Sequence, residues 1–212
     1  MYSPEYEMAR PVENSNPVYS KGWAARAFFK QWLKHPQMTA SLVPSGAQLA
    51  RKMIDGLPYR AKRIIELGAG SGIFTRALLE RGVAPVDLLA LDINEVLCQY
   101  LRTRSPGVQV VCGDARELSS IATAHGFLDR GPVDAVISGL GLLLMTRKTQ
   151  FEVLEAAFSV LAPDGCFIQF TYGPFSPVSR DLLFDLDLSV QRGGVAWWNL
   201  PPATVYVYRR KE

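Results

Sequence analysis

The stretch RIIELGAGSGIFTRALLERG, residues 63–82, restricts the chain more than any other part of it. A short apolar run passes straight into three alternating glycines, Gly68, Gly70 and Gly72, and then into a helical run closed by Gly82. A strand that ends in such a turn and hands over to a helix is the opening of a βα unit. The pattern then repeats. LLALD (88–92) reads as a strand, followed by a helix from Asn94 to about Arg104. VQVVCGD (108–114) and VDAVISG (133–139) are further strands, the latter feeding a helix from Lys148 to Leu161, and CFIQFTY (166–172) is a fifth. Continuous apolar strands alternating with helices predict an α/β fold, a mostly parallel sheet with helices on both faces. The tail differs, because VAWWN and TVYVYRR are joined through PPA with no helix between. Strands joined so closely pair antiparallel, which places this pair at the sheet edge.

The chain has 212 residues, 48% apolar and 20% charged, which suits one globular core. We divide it into an N-terminal segment, 1–44, and a main domain, 45–212. The first 20 residues read as flexible, and Pro36–Pro44 as a connector before a helix capped by Ser45. The opening MYSPEYEMARPVENSNP has neither a basic nor an apolar signal region, so no signal peptide is expected. No apolar run reaches the roughly 18 residues of a membrane span; ISGLGLLLM is half of one. Cys98, Cys112 and Cys166 are widely spaced in apolar contexts and read as reduced core cysteines of a cytosolic protein. His35 and His125 are isolated, and no metal is expected.

ELGAGSG marks a ligand site, since ligands of open α/β sheets bind where a strand ends and a helix begins. Glycines let the backbone approach a ligand, and the helix N-terminus offers free N–H groups. Ile73 follows Gly72, so the dinucleotide pattern G-x-G-x-x-G is not met. Asp92 ends the second strand, placed to accept both hydroxyls of a ribose. Asp114 ends the third in the sequence GDA, where an acid can face the exocyclic amine of adenine. Each acid alone could be a helix cap; the three features in register favour a nucleoside cofactor.

Glu66 to Gly72, then Asp92, then Gly113-Asp114-Ala115, resemble the class I S-adenosylmethionine-dependent methyltransferases, whose sheet is Rossmann-like with an antiparallel C-terminal strand. The resemblance implies S-adenosyl-L-methionine as cofactor. Glu66, Gly68, Gly70 and Gly72 would meet its methionine part, Asp92 with Ile93 its ribose, and Asp114 with Ala115 its adenine, with Ser138 completing the set. SGLGLLL after the fourth strand, QFTYGPFSPV (169–178) and NLPPATVYVYRR (199–210) together look like the bacterial phospholipid N-methyltransferases. AFFKQWLKHP and VPSGAQLA resemble their N-terminal region, so the likeness runs from about Trp23 to Arg210. It departs at Gly141, where a proline is expected after SGL. The implied reaction is methylation of phosphatidylethanolamine, and of its mono- and dimethyl forms, toward phosphatidylcholine. Nucleic-acid adenine methyltransferases carry Asn or Asp, Pro and an aromatic after the fourth strand. This chain has none of these there, and its NLPP lies between the last two strands, so no nucleic-acid partner is expected.

A lipid substrate gives the N-terminal segment a purpose. On a helix over about 22–35, Arg26, Lys30 and Lys34 align on one face, while Phe28, Phe29, Trp32 and Leu33 spread over the other, with Trp23 at its start. From Lys21 to Arg63 nine Lys or Arg face the single acid Asp55. Such a helix suits the surface of an anionic bilayer, each cation contributing on the order of 1 kcal/mol. An ordinary helix packed on the domain would show the same pattern. The expected partner is therefore a phospholipid membrane, and the expected location the inner face of the cytoplasmic membrane; no feature implies a protein partner. For the acceptor, Gly139 and Leu140 follow the fourth strand, and Tyr172 ends the fifth. Tyr172 and Tyr19 are candidates to hold a methylated cation or pass its proton. Arg180, at a helix start, is a candidate for the lipid phosphate. Tyr206 and Tyr208 alternate with Val205 and Val207, so one pair is expected to face inward. An RNA or small-amine methyltransferase, or an inactive lipid-binding protein of the same fold, would use the same basic segment differently.

Overall fold

The computed structural model describes residues 43–199 and 201–211. The amphipathic helix expected over 22–35, with its cationic and aromatic residues, and Tyr19 lie outside the described residues. Along the described chain run α1 (Val43–Asp55), β1 (Ile64–Leu67), α2 (Ile73–Glu80), β2 (Leu88–Asp92), α3 (Glu95–Arg104), β3 (Gln109–Cys112) and α4 (Leu118–Ala124). They are followed by β4 (Val133–Ser138), α5 (Arg147–Val160), β5 (Leu161–Tyr172), α6 (Arg180–Asp185), β6 (Leu188–Ala196) and β7 (Ala203–Arg210). The seven strands form one sheet in the order β3-β2-β1-β4-β5-β7-β6. β1 to β5 are mutually parallel, and β7 runs antiparallel between β5 and β6. The strand order reverses at β1, which has β2 on one side and β4 on the other. In such sheets the crevice beyond that reversal holds the ligand.

Alternate residues of each strand enter separate cores, because helices cover both faces. On one face Ile64, Ile137, Ile168 and Val205 pack with Met53 of α1 and Phe74 and Leu78 of α2. On the other Ile65, Val136, Phe167 and Tyr208 pack with Leu154 and Phe158 of α5. The helices begin where side chains accept their free N–H groups: Asn94 at α3, Thr146 at α5 and Ser179 at α6.

The sequence reading is corrected at three places. The sixth strand is LSVQRGGVA rather than VAWWN; Trp197 and Trp198 are exposed in the turn after it. An edge strand exposed along most of its length carries little apolar signal, and the two indoles drew the assignment toward themselves. Secondly, β7 is interior. Its valines fill one core and its tyrosines the other, so both pairs are buried rather than one. Thirdly, α1 already begins at Val43, so Ser45 sits inside its first turn and is not its cap.

Candidate active site

The glycine loop joins β1 to α2 at the crevice. Gly68, Gly70 and Gly72 all have left-handed φ angles, 67°, 54° and 79°. Gly72 is where this matters most: it begins α2, and a Cβ there would stand 2.5 Å from Leu101 Cδ1. The loop is tied to the end of β2. Gly68 N donates to Leu91 O at 2.8 Å, and Gly70 N donates to Asp92 Oδ2 at 2.8 Å. On its other side it touches the turn after β4, where a Cβ on Gly139 would meet Gly68 O at 2.8 Å. Above Gly70 there is room, since a Cβ there meets nothing closer than Gly68 O at 3.9 Å.

Glu66, near the end of β1, is fully buried. Thr75 Oγ1 of α2 donates to its Oε2 at 2.5 Å, while Oε1 is buried with no partner in the protein. Burial pushes this carboxyl up to about 8; the Thr75 hydrogen bond offsets part of the effect. Asp92 Oδ1 accepts from Asn94 N at 2.9 Å, so each of its oxygens holds one N–H and keeps a lone pair for another donor. Ile93 beside it is 73% exposed, an apolar surface next to the carboxylate. Asp114 caps the short turn that begins at Ala115. Its Oδ2 is gripped by the Arg116 guanidinium at 2.6 Å, which holds its carboxyl below the usual range. Arg116 also reaches Glu152 of α5 at 3.6 Å.

Across the crevice, Ser138 ends β4, is buried, and its hydroxyl accepts from Leu140 N at 3.3 Å. Gln169 of β5 lies beside it in register. The Gln169 amide donates to Leu140 O at 2.9 Å and to Phe170 O at 2.7 Å, and its Oε1 is buried without a partner. Tyr172 is buried at the end of β5, and burial pushes its phenol up to about 12, partly offset by a hydrogen bond with Asn199. Asn199 Oδ1 is itself buried without a partner. Tyr206 and Tyr208 are occupied inside the protein: Tyr206 OH donates to Pro174 O at 2.5 Å, and Tyr208 OH bonds Ser176 Oγ at 2.8 Å. These two residues pin the loop after β5. Arg180, the first residue of α6, is exposed where that loop ends.

The structure therefore brings Glu66, the three glycines, Asp92, Ser138 and Gly139 to one crevice, with Tyr172 at the same end of the sheet. Sequence reading missed Thr75, Gln169 and Asn199. Gln169 was visible as the polar break in the apolar run CFIQFTY, and Asn199 as the residue opening NLPP. Thr75 carried no signal of its own, because its role depends on a helix packing over β1. Among the described residues there is no group of three or more His, Cys, Asp or Glu able to hold a metal ion.

These residues fit S-adenosyl-L-methionine. A buried carboxyl oxygen without a partner suits the methionine ammonium, open space over Gly70 suits close approach, and Asp92 retains lone pairs for two hydroxyls. The model of a family described as a methyltransferase domain matches residues 64–165. The ornithine lipid N-methyltransferase of Singulisphaera acidiphila is 31% identical over 188 residues, 86% of this chain and 94% of that protein. Among solved structures, a TehB-like SAM-dependent methyltransferase from Corynebacterium glutamicum superposes with a TM-score of 0.60 at 17% identity, over 88% of this chain and all of that one. A glycopeptide N-methyltransferase complexed with S-adenosyl-L-methionine gives 0.59 at 14% identity, over 78% and 94% of the two chains. At such identities the likeness is one of fold.

Proposed function

The chain belongs to the class I S-adenosylmethionine-dependent methyltransferases, and on that premise we propose that it methylates the amine of a membrane-lipid headgroup. Phosphatidylethanolamine and its mono- and dimethyl forms are the acceptors we favour, leading toward phosphatidylcholine at the inner face of the cytoplasmic membrane. The observation that carries a lipid acceptor is similarity, along 86% of the chain, to an ornithine lipid N-methyltransferase. The same observation supports ornithine lipid as a second acceptor, since both lipids present a primary amine near an anionic group at a bilayer surface.

S-Adenosylmethionine, when bound, would supply a methyl on a positively charged sulfur, which a neutral amine can take as the C–S bond breaks and the sulfur leaves as a neutral thioether. The glycine loop and Glu66 would hold its methionine part, and Asp92 its ribose. Asp114 would reach adenine only with the oxygen not gripped by the Arg116 guanidinium. A primary ammonium with a pKa near 10 must lose a proton before it can attack. Tyr172 is not the standing base for this step: a phenol pushed up to about 12 stays protonated at neutral pH. Its hydroxyl, with the Asn199 amide oxygen, would orient the amine. Tyr19 would join from the N-terminal segment, whose cationic and aromatic residues would bring the enzyme to the bilayer.

The test is transfer of labelled methyl from S-adenosylmethionine into vesicles carrying phosphatidylethanolamine or ornithine lipid, with products resolved by chromatography. Label in the first gives mono-, di- and trimethyl species in turn. Label only in the second transfers the assignment to ornithine lipid. Label in neither, with RNA or small soluble amines accepting methyl instead, refutes a lipid acceptor.

A further inference from the structure

The two indoles displaced from β6 find a place here. Trp197 and Trp198 are 71% and 78% exposed in the β6–β7 turn, and Phe175 in the loop after β5 is 73% exposed. Their position is fixed by the sheet. Ala196 pairs with Ala203, and Ala203 with Tyr172, so the turn projects beyond the end of the sheet at which Tyr172 sits. Gly173 N donates to Pro202 O at 3.3 Å, which sets the two aromatic loops side by side. Trp198 N donates to Gln48 Oε1 at 2.9 Å, so the turn is braced on α1 and is not a loose end. Beneath it lies a cleft of about 420 Å³ lined by Ala47, Gln48, Arg51 and Trp198. Arg51 is exposed, and the sequence has no acid from Asn14 to Ile54.

We infer that Trp197, Trp198 and Phe175 insert into the headgroup region of a lipid bilayer, seating the acceptor end of the sheet on the membrane with Arg51 against lipid anions. The inference rests on the lipid-amine reading and adds to it a structured anchor separate from the N-terminal segment. Exposed large apolar side chains gathered at one end of a sheet mark an interaction surface, and tryptophan is the residue enriched at the membrane–water boundary. The charge at the cleft chooses between occupants. A second copy docking symmetrically would bring Arg51 toward its own counterpart, whereas an anionic bilayer complements it. Location chooses the same way: the turn adjoins Tyr172 and Asn199, so a protein covering it would obstruct the end at which a headgroup must enter.

The experiment uses the full chain with Trp23→Phe and Trp32→Phe, which leaves Trp197 and Trp198 as the two remaining indoles of four. Vesicles of phosphatidylethanolamine and phosphatidylglycerol are prepared with lipids brominated on the acyl chain. Quenching of the indole emission on vesicle binding is the expected result. In the natural chain, Trp197→Glu with Trp198→Glu lowers vesicle partition roughly tenfold or more while the unfolding midpoint is kept. Unquenched emission with vesicles bound overturns the inference. So does emission that is blue-shifted before vesicles are added and unchanged by them, which assigns the patch to the N-terminal segment. A shift that follows protein concentration instead of lipid assigns it to a second copy and overturns it too. If vesicle lipid is methylated but the indoles stay unquenched, this inference alone falls. If soluble amines are the only acceptors, the lipid reading falls with it.

Discussion

Replacing Glu66 by glutamine tests the chemistry of the crevice without changing its shape. Burial raises this carboxyl from 4.5 to about 8, and a tenfold change in proton affinity corresponds to about 1.4 kcal/mol. Below 4.5 the group is protonated whether the chain is folded or unfolded, and nothing is at stake. Between 4.5 and 8 the unfolded chain releases the proton and the folded chain keeps it, so stability falls as pH rises and levels off above about 8. The full loss is on the order of 4–5 kcal/mol, and at pH 5 it is below about 1 kcal/mol. An amide does not titrate. Urea unfolding of the cofactor-free protein at pH 5 and pH 8.5 is therefore expected to show Glu66→Gln several kcal/mol more stable relative to wild type at the higher pH than at the lower. Cofactor binding gives the converse signature. If the methionine ammonium meets Glu66, binding expels the proton, so affinity in the wild type rises up to about tenfold per pH unit from 5.5 to 7.5. Titration calorimetry in two buffers of different ionisation heat reads that proton directly. Glu66→Gln should bind more weakly with no such slope; the same slope in both proteins, or a stability gap independent of pH, refutes the argument.

Asp92→Ala leaves the Gly70 and Asn94 N–H groups without their acceptor; it should cost about 1–3 kcal/mol in urea unfolding and abolish cofactor binding by calorimetry. Gly72→Ala combines a φ of 79° with a contact 2.5 Å from Leu101, so its thermal unfolding midpoint should fall by several degrees, about 1–3 kcal/mol. Tyr208→Phe removes one buried bond to Ser176 and should cost about 0.5–1.5 kcal/mol in urea unfolding while cofactor affinity is unchanged. Charge reversal at Arg26, Lys30 and Lys34 should weaken sedimentation with anionic vesicles, more at low salt than at high.

The cofactor half of the molecule was legible because its determinants are local. A strand, a glycine turn and a helix lie within residues 63–82, and Asp92 and Asp114 end strands whose apolar runs are unmistakable. The acceptor half depends on contacts that no window of sequence contains. Gln169 meets Leu140 across 29 positions, and Tyr206 meets Pro174 across 32. The run Val205–Tyr208 looked like a strand with one wet face, and only the insertion of β7 between two others shows why both faces are apolar. Asp114 was readable as an acid at a strand end, but the guanidinium that occupies it comes from Arg116, two residues on, where a charged side chain ordinarily points to water.

The position of β7 also governs the order in which the molecule can be assembled. It is the last of the seven strands to emerge during synthesis, yet it fills a gap between two that precede it. Until residue 210 is free, CFIQFTY of β5 presents an unpaired and strongly apolar edge, the kind of surface on which nascent chains aggregate. The glycine loop and its partners on β2 and β4 are all in hand before β5 is made. A newborn chain would thus be able to shape its cofactor crevice first and its acceptor end last, and slowing translation through β6 should lengthen the time for which it is vulnerable to chaperone capture.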